Sequence, residues 1–166
     1  MKISDQTLKL LQEQIAIEAN AANYYLSVAS WCKVTGYSGA SCFFRAHSAE
    51  EREHMSKIIQ YLNGLKIHAQ IPATEQPPQN MESLEQVCKI ALDNEKNVTQ
   101  SINKIIDTAQ DEKDHRTSVF LEWFVNEQIN EEDLFESIMQ KFDIIGRDKL
   151  ALHEIDKILD KLKDTS

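Results

Sequence analysis

The sequence predicts an all-α fold, a four-helix bundle with one long crossover and a short fifth helix at the C-terminus. Three observations predict it. Apolar residues recur at steps of three and four in every long segment, as in Val87, Ala91, Val98, Ile102 and Ile105. Strand-type alternation is missing. The helix breakers Gly36, Gly39, Gly64, Gly146, Pro72, Pro77 and Pro78 fall between the periodic segments or at their ends, and none interrupts one.

Cutting the chain at those breakers gives the elements in order. Helix α1 is predicted over about 4–34, with Ser4 or Asp5 as its N-cap. Helix α2 follows over about 39–64, with Gly64 as its C-terminal stop. The few residues of TGYSG between them require antiparallel neighbours. Helix α3 is predicted over about 82–110 and α4 over about 114–142, again antiparallel across a tight turn near DEK. Helix α5 covers about 147–163 and carries one apolar stripe of Ala151, Ile155, Ile158 and Leu162. Residues 65–81, LKIHAQIPATEQPPQNM, could span about 55 Å when extended. Since α2 is only about 39 Å long, this segment can run the length of the bundle and start α3 parallel to α2. One unit over 1–166 is the expected domain organisation, with the bundle in about 4–142.

Composition narrows the function classes. Among 166 residues, 42% are hydrophobic and 27% charged, which fits a packed globular chain. A net charge of −9 disfavours nucleic acid as a partner and suits attraction of cations. Membrane insertion is not expected, because no apolar run is long enough, and MKISDQTLKLLQEQ lacks the apolar stretch of a secretion signal. Cys32, Cys42 and Cys88 are odd in number and form no CxxC pair, so free thiols in a reducing cytoplasm are expected.

The informative stretch is FFRAHSAEEREHMSKII, residues 43–59. Glu51 and His54 share a helical stripe there with Phe44 and Ile58, which belong in a core. A bare charge in a core is costly and must be compensated. The other helices repeat the pattern. Glu18 lies on the stripe of Leu11, Ile15, Ala22 and Tyr25, Glu95 lies between Ala91 and Val98, and Gln128 is flanked by Leu121, Phe124 and Phe135. The helix midpoints fall near residues 19, 51, 96 and 128, so each inward polar residue sits within about 1.5 Å of its helix centre. Midpoints are level whatever the helix direction. Three carboxylates, an imidazole and an amide should therefore meet in one layer, and a pair of divalent cations resolves that assembly. Glu oxygens and a His nitrogen suit iron, manganese or zinc.

Each feature has a plainer reading. Glu51 and His54 alone could be a buried hydrogen-bonded pair. A second Glu-x-x-His, Glu112 to His115, lies in the α3–α4 turn and reads as solvated, and the acidic QDEKDH run there reads as a turn before it reads as an access route for ions. Tyr25, two turns after Glu18, is either a core tyrosine or a group acting beside the metal. Glu50, Glu127 and Glu131 are either surface charge or, if clustered, a third, all-oxygen iron site. His47, His68 and His153 are expected to be structural or exposed.

With these residues in view, nearly the whole chain resembles the bacterial non-haem ferritins of the ferritin-like di-iron superfamily. The layout of helices and inward carboxylates is general to such bundles. The resemblance implies a first iron site of Glu18, Glu51 and His54, and a second of Glu51 as bridge and Glu95, with Gln128 beside it. It also implies a role for Tyr25 next to the centre, and a third iron site of Glu50, Glu127 and Glu131. Two departures separate the chain from neighbouring branches. Gln128-Ile-Asn-Glu131 stands where the generic layout has a second Glu-x-x-His, and Arg52 stands where bacterioferritin has its haem methionine. Haem is therefore not expected, and a haem-bearing bacterioferritin or a rubrerythrin-like peroxidase is the alternative. Asn130 stands where a further acid often completes the third site.

The resemblance further implies iron storage with ferroxidase activity. Fe(II) and dioxygen or peroxide would be the substrates, and the subunits would form a homo-oligomeric shell of twenty-four, with α5 packing around a symmetry axis.

Overall fold

The computed structural model describes residues 3–163. The expected unit of 1–166 also includes residues 1–2 and 164–166, which lie outside the described residues. Five helices make up the fold: α1 Asp5–Thr35, α2 Ser38–Gly64, α3 Leu84–Asp111, α4 His115–Ile145 and α5 Lys149–Leu162. No strand occurs among the described residues. The expected all-α bundle is the one observed.

Side-chain bonds between helices fix their directions. Ser41 and Ser48 of α2 donate to the carbonyls of Ala29 and Ala22, so α1 and α2 run antiparallel. Gln128 of α4 reaches Glu95 of α3, and Arg147 just beyond α4 reaches Glu85, so that pair is antiparallel too. Between them, residues 65–83 ascend beside α1. Gln70 N donates to Gln12 Oε1 at 3.0 Å, and Glu75 N donates to Asn20 Oδ1 at 2.9 Å. The segment therefore climbs from the first half of α1 towards its C-terminus. Helix α3 then descends, with Tyr24 bonded to the Val87 carbonyl at its top and Gln14 to Ser101 lower down. Lengthwise bonding to α1 is what keeps so long a connection ordered.

The helix ends follow from their capping groups. Ser4 caps α1 by accepting from Thr7 N, and Gly36 ends it in the left-handed conformation at φ 97°. Gly64 was expected to play the same part for α2. Instead it remains helical, and Lys66, at φ 62°, takes the left-handed turn. The α3–α4 turn is pinned by two of its acids. Glu112 accepts from Ser4 and Thr7 of α1, and Asp114 caps α4 by accepting from Thr117.

Helix α5 departs from expectation. Its buried stripe is Ala151, Ile155 and Leu159, where Ala151, Ile155, Ile158 and Leu162 are expected; Ile158 and Leu162 are half-buried, and the helix packs on the subunit's own α2 end. No side chain of α2 caps its own first turn. Asp156 of α5 does so, accepting from Gly39 N at 3.1 Å and Ala40 N at 2.7 Å. The approach is so close that a Cβ on Gly39 would lie 2.1 Å from the Asp156 carbonyl oxygen.

The apolar interior forms two clusters. One surrounds Tyr25, Phe43, Phe44, Phe135 and Phe142, and the other Leu11, Ile15, Ile58, Ile102 and Phe124. Glu18, Glu51, His54, Glu95, Gln128 and Glu131 lie between them in chain position on every bundle helix, and all are buried.

Candidate metal centre

Each centre residue is placed by the helix that carries it. On α1 the face holding Leu11 and Ile15 continues through Glu18 to Tyr25, and all four are 0% exposed. On α2 the face of Phe44 and Ile58 brings in Glu51 and His54. Ala91 and Val98 bracket Glu95 on α3, and Leu121, Phe124 and Phe135 bracket Gln128 on α4. The packing that buries these apolar neighbours carries the polar groups inward with them.

Glu18, Glu51 and His54 form one group, with a ligand atom from each lying within 4.8 Å of the others. His54 Nδ1 is 3.2 Å from Glu51 Oε2. Gln14, buried one turn before Glu18, donates to Glu18 Oε1 at 2.8 Å and accepts from Ser101 at 2.6 Å. Glu18 Oε2 makes no hydrogen bond. A buried carboxylate oxygen without a donor is what a metal ligand looks like before its cation is bound.

Glu95 is held from both sides. The Tyr25 hydroxyl donates to its Oε1, and Gln128 Nε2 donates to its Oε2 at 3.1 Å and to its backbone carbonyl at 3.2 Å. Gln128 thus presents its amide nitrogen to Glu95.

The acids are crowded, and crowding keeps protons on them. Burial pushes the Glu18 carboxyl well above the ordinary value of 4.5, and the Glu51 charge adds to this. Glu51 is raised by burial and then by the Glu95 charge. Glu95 is pushed up to about 7, by burial and then by the Glu131 charge. Tyr25 stays a neutral phenol, raised by burial and by Glu95. A divalent cation reverses the preference of all three carboxyls, and a His/Glu donor set suits a first-row metal. The residues present therefore fit iron.

Glu50, Glu127 and Glu131 fall into two groups rather than one. Glu50 joins His47 and Glu131 in the first, and His54 and Glu127 in the second. Glu131 is buried, whereas Glu50 and Glu127 are half-buried, and Asn130 is exposed. Glu50, Glu53, His54, Trp123 and Glu127 line a cleft between α2 and α4 that opens onto the centre. Trp123 stands edge-on to His54 at 5.3 Å between ring centroids, with the Lys57 ammonium 4.5 Å above its ring.

Two further residues adjoin this group. His47 is fully buried, with Nδ1 3.1 Å from the Phe43 carbonyl and Nε2 3.6 Å from Glu131 Oε2. Gln14 was not singled out at all. Both carried a signal: each lies four residues before a centre carboxylate, on the same stripe. His68 and His153 are exposed, as expected, and the free thiols are Cys32 and Cys88 in the interior and Cys42 outside.

Comparison with known proteins follows the same lines. The family model of the ferritin-like domain matches residues 8–145. A bacterial non-heme ferritin of Campylobacter jejuni is 40% identical over 157 residues, covering 95% of this chain and 94% of that protein. One from Staphylococcus aureus is 34% identical over 157 residues, with 95% of each covered. Among solved structures, an open pore ferritin from the archaeon Archaeoglobus fulgidus superposes with a TM-score of 0.92 at 34% identity, covering 95% of this chain and 96% of that one.

Proposed function

This chain belongs to the ferritin family, and from that premise we propose that it is an iron-storage subunit with ferroxidase activity. Fe(II) is oxidised to Fe(III) at a centre inside each subunit, and the ferric product is deposited as mineral within a hollow shell of identical subunits, twenty-four by family resemblance. The observation that carries this reading is the buried group of Glu18, Glu51 and His54, in which Glu18 Oε2 has no hydrogen-bond partner.

In this reading Glu18 and His54 hold the first Fe(II), Glu51 bridges, and Glu95 holds the second. Tyr25 and Gln128 fix the Glu95 carboxylate by donating to its two oxygens. By family resemblance Glu50, Glu127 and Glu131 supply a further iron position on the cleft side, with Glu50 common to the two groups they form. Two Fe(II) each give up one electron, and dioxygen or peroxide accepts them. The residues hold the two ions at a fixed spacing in a dry interior and release protons as the ions arrive. The acidic balance of the chain draws in the cation substrate.

Storage needs an enclosed volume that one bundle does not have. The whole of 1–166 would act as one unit in that assembly, in the cytoplasm. No helix of the described residues is long and apolar enough to cross a membrane.

The test is the double variant Glu51→Ala with His54→Ala. It is expected to lose rapid aerobic Fe(II) oxidation while still eluting as a particle of about half a megadalton. Wild-type oxidation kinetics in that variant would refute the assignment, and elution as a single subunit by the native protein would refute the shell.

A further inference from the structure

His47 lies on the same stripe of α2 as the centre, at the spacing Phe44, His47, Glu51, His54, Ile58. Its ring is enclosed by aromatics: Phe43 at 4.2 Å, Phe135 at 5.5 Å and Tyr25 at 5.9 Å between centroids. One edge is committed. Nδ1 is 3.1 Å from the Phe43 carbonyl, an oxygen that can only accept, so Nδ1 carries the hydrogen. In the neutral ring, Nε2 therefore presents a lone pair.

That nitrogen faces a carboxylate. Burial opposes a charge on the ring, but Glu131 and Glu50 raise the His47 imidazole above its ordinary value, so a cation bound here would take the place of a proton. Glu131 Oε2 lies 3.6 Å from Nε2, both residues are buried, and neither atom makes a hydrogen bond. The gap is too long for an N–H···O bond, which closes to about 2.7–3.2 Å. It matches two donors on one cation. Two metal–ligand bonds of about 2.1 Å at a tetrahedral angle set their donor atoms about 3.4 Å apart, close to this separation. Glu50 supplies a third donor, since its ligand atom and those of His47 and Glu131 all lie within 4.8 Å of one another. Glu50 also lines the cleft between α2 and α4, whereas His47 and Glu131 are buried behind it.

We propose that His47 Nε2, Glu131 and Glu50 hold one divalent transition-metal cation in a mixed nitrogen–oxygen site beside the centre. The proposal shares Glu50 and Glu131 with the further iron position put forward above and so rests on that reading. It changes the composition of that position and hence its selectivity. An imidazole donor favours zinc or ferrous iron over magnesium and calcium, which an all-oxygen site would accept more readily. Glu50 and Glu131 also place the ion next to Glu51 and Glu95, so a cation arriving through the cleft meets this site on its way inward.

The probe is Zn²⁺, measured by equilibrium dialysis against the assembled, iron-free protein. His47→Phe keeps an aromatic ring in the aromatic setting and removes the nitrogen donor. It is expected to lose one zinc per subunit, or to bind it at least about tenfold more weakly. Glu127→Ala is the discriminating partner, because Glu127 belongs to the all-oxygen position but not to the His47 group. Loss in His47→Phe with retention in Glu127→Ala supports the proposal. Loss in Glu127→Ala with retention in His47→Phe overturns it and leaves the all-oxygen position standing. Retention in both sinks both. Crystals of the unaltered protein soaked in zinc give a check that needs no variant. An anomalous peak about 2.1 Å from His47 Nε2 is expected, and its absence overturns the site.

Discussion

The Tyr25 hydroxyl donates to Glu95 Oε1 from the opposite side of the carboxylate to Gln128. Tyr25 thus reaches from α1 to α3 and sets the orientation of an acid it lies far from in sequence. Tyr25→Phe would leave that oxygen buried without a donor. An unsatisfied buried group of this kind costs about 1–3 kcal/mol. The iron-free variant should unfold earlier in denaturant by that amount. Glu95 should also load metal only at higher pH than in the wild type, because the lost donor favours its ionised form. Zinc titrations between pH 6 and 8 check this.

The pH dependence of the iron-free protein should run opposite to that of an ordinary salt-bridged protein. The carboxyls of Glu18, Glu51 and Glu95 are all raised above 4.5, Glu95 to about 7. Between those values the folded chain binds more protons than the unfolded chain, so stability is greatest below about 4.5 from these groups and falls as pH rises through about 7. The slope is at most about 1.4 kcal/mol per pH unit for each group. A divalent metal replaces the protons and removes the penalty. Thermal midpoints measured from pH 5 to 8 should fall with pH without metal, and metal should raise them most at the alkaline end.

Glu18→Gln separates stability from function. The amide keeps the shape of the side chain and removes a charge that burial and Glu51 oppose. The iron-free variant should be more stable than wild type at pH 8, by about 1–2 kcal/mol, and should oxidise Fe(II) slowly. Such an exchange is expected where a site stores repulsion for its ligand. Denaturant midpoints and oxygen uptake, measured on the same preparation, decide it.

Docking of α5 depends on Gly39. Gly39→Ala places a methyl 2.1 Å from the Asp156 carbonyl oxygen, so α5 must move and its caps on Gly39 N and Ala40 N must open. Overpacking of this kind costs about 1–3 kcal/mol. Asp156→Ala removes the caps without the clash and should cost about 1 kcal/mol. Faster amide exchange across 149–162 in Gly39→Ala than in Asp156→Ala would separate the two effects.

Much of this was legible in the sequence because helices announce themselves by period and punctuation. The four helix midpoints set Glu18, Glu51, Glu95 and Gln128 at one level, since level depends only on helix length. His47 is expected to be structural or exposed, and it is buried. A histidine among Phe43, Phe44 and Phe135 has the pattern of a core ring, and only the direction of its Nε2 towards Glu131 marks it out. The α5 stripe was misplaced by the same limit. Periodicity shows that Ala151 and Ile155 want burial but not against what, and the partner surface at Gly39 is more than a hundred residues away in sequence. Lys66, rather than Gly64, takes the positive φ at the end of α2, a choice made by the Ile67 N–H reaching the Leu62 carbonyl and not by local propensity.

Two oily clusters parted by a belt of acids give the bundle a waist. Four helices run through both halves, but the side chains packed between them include carboxyls whose charges repel one another until an ion arrives. Backbone near Glu18, Glu51 and Glu95 should exchange its amides sooner than backbone near Leu11 or Phe142, and loading with zinc should erase that difference. The cargo would then be what makes a single column of two stacked blocks.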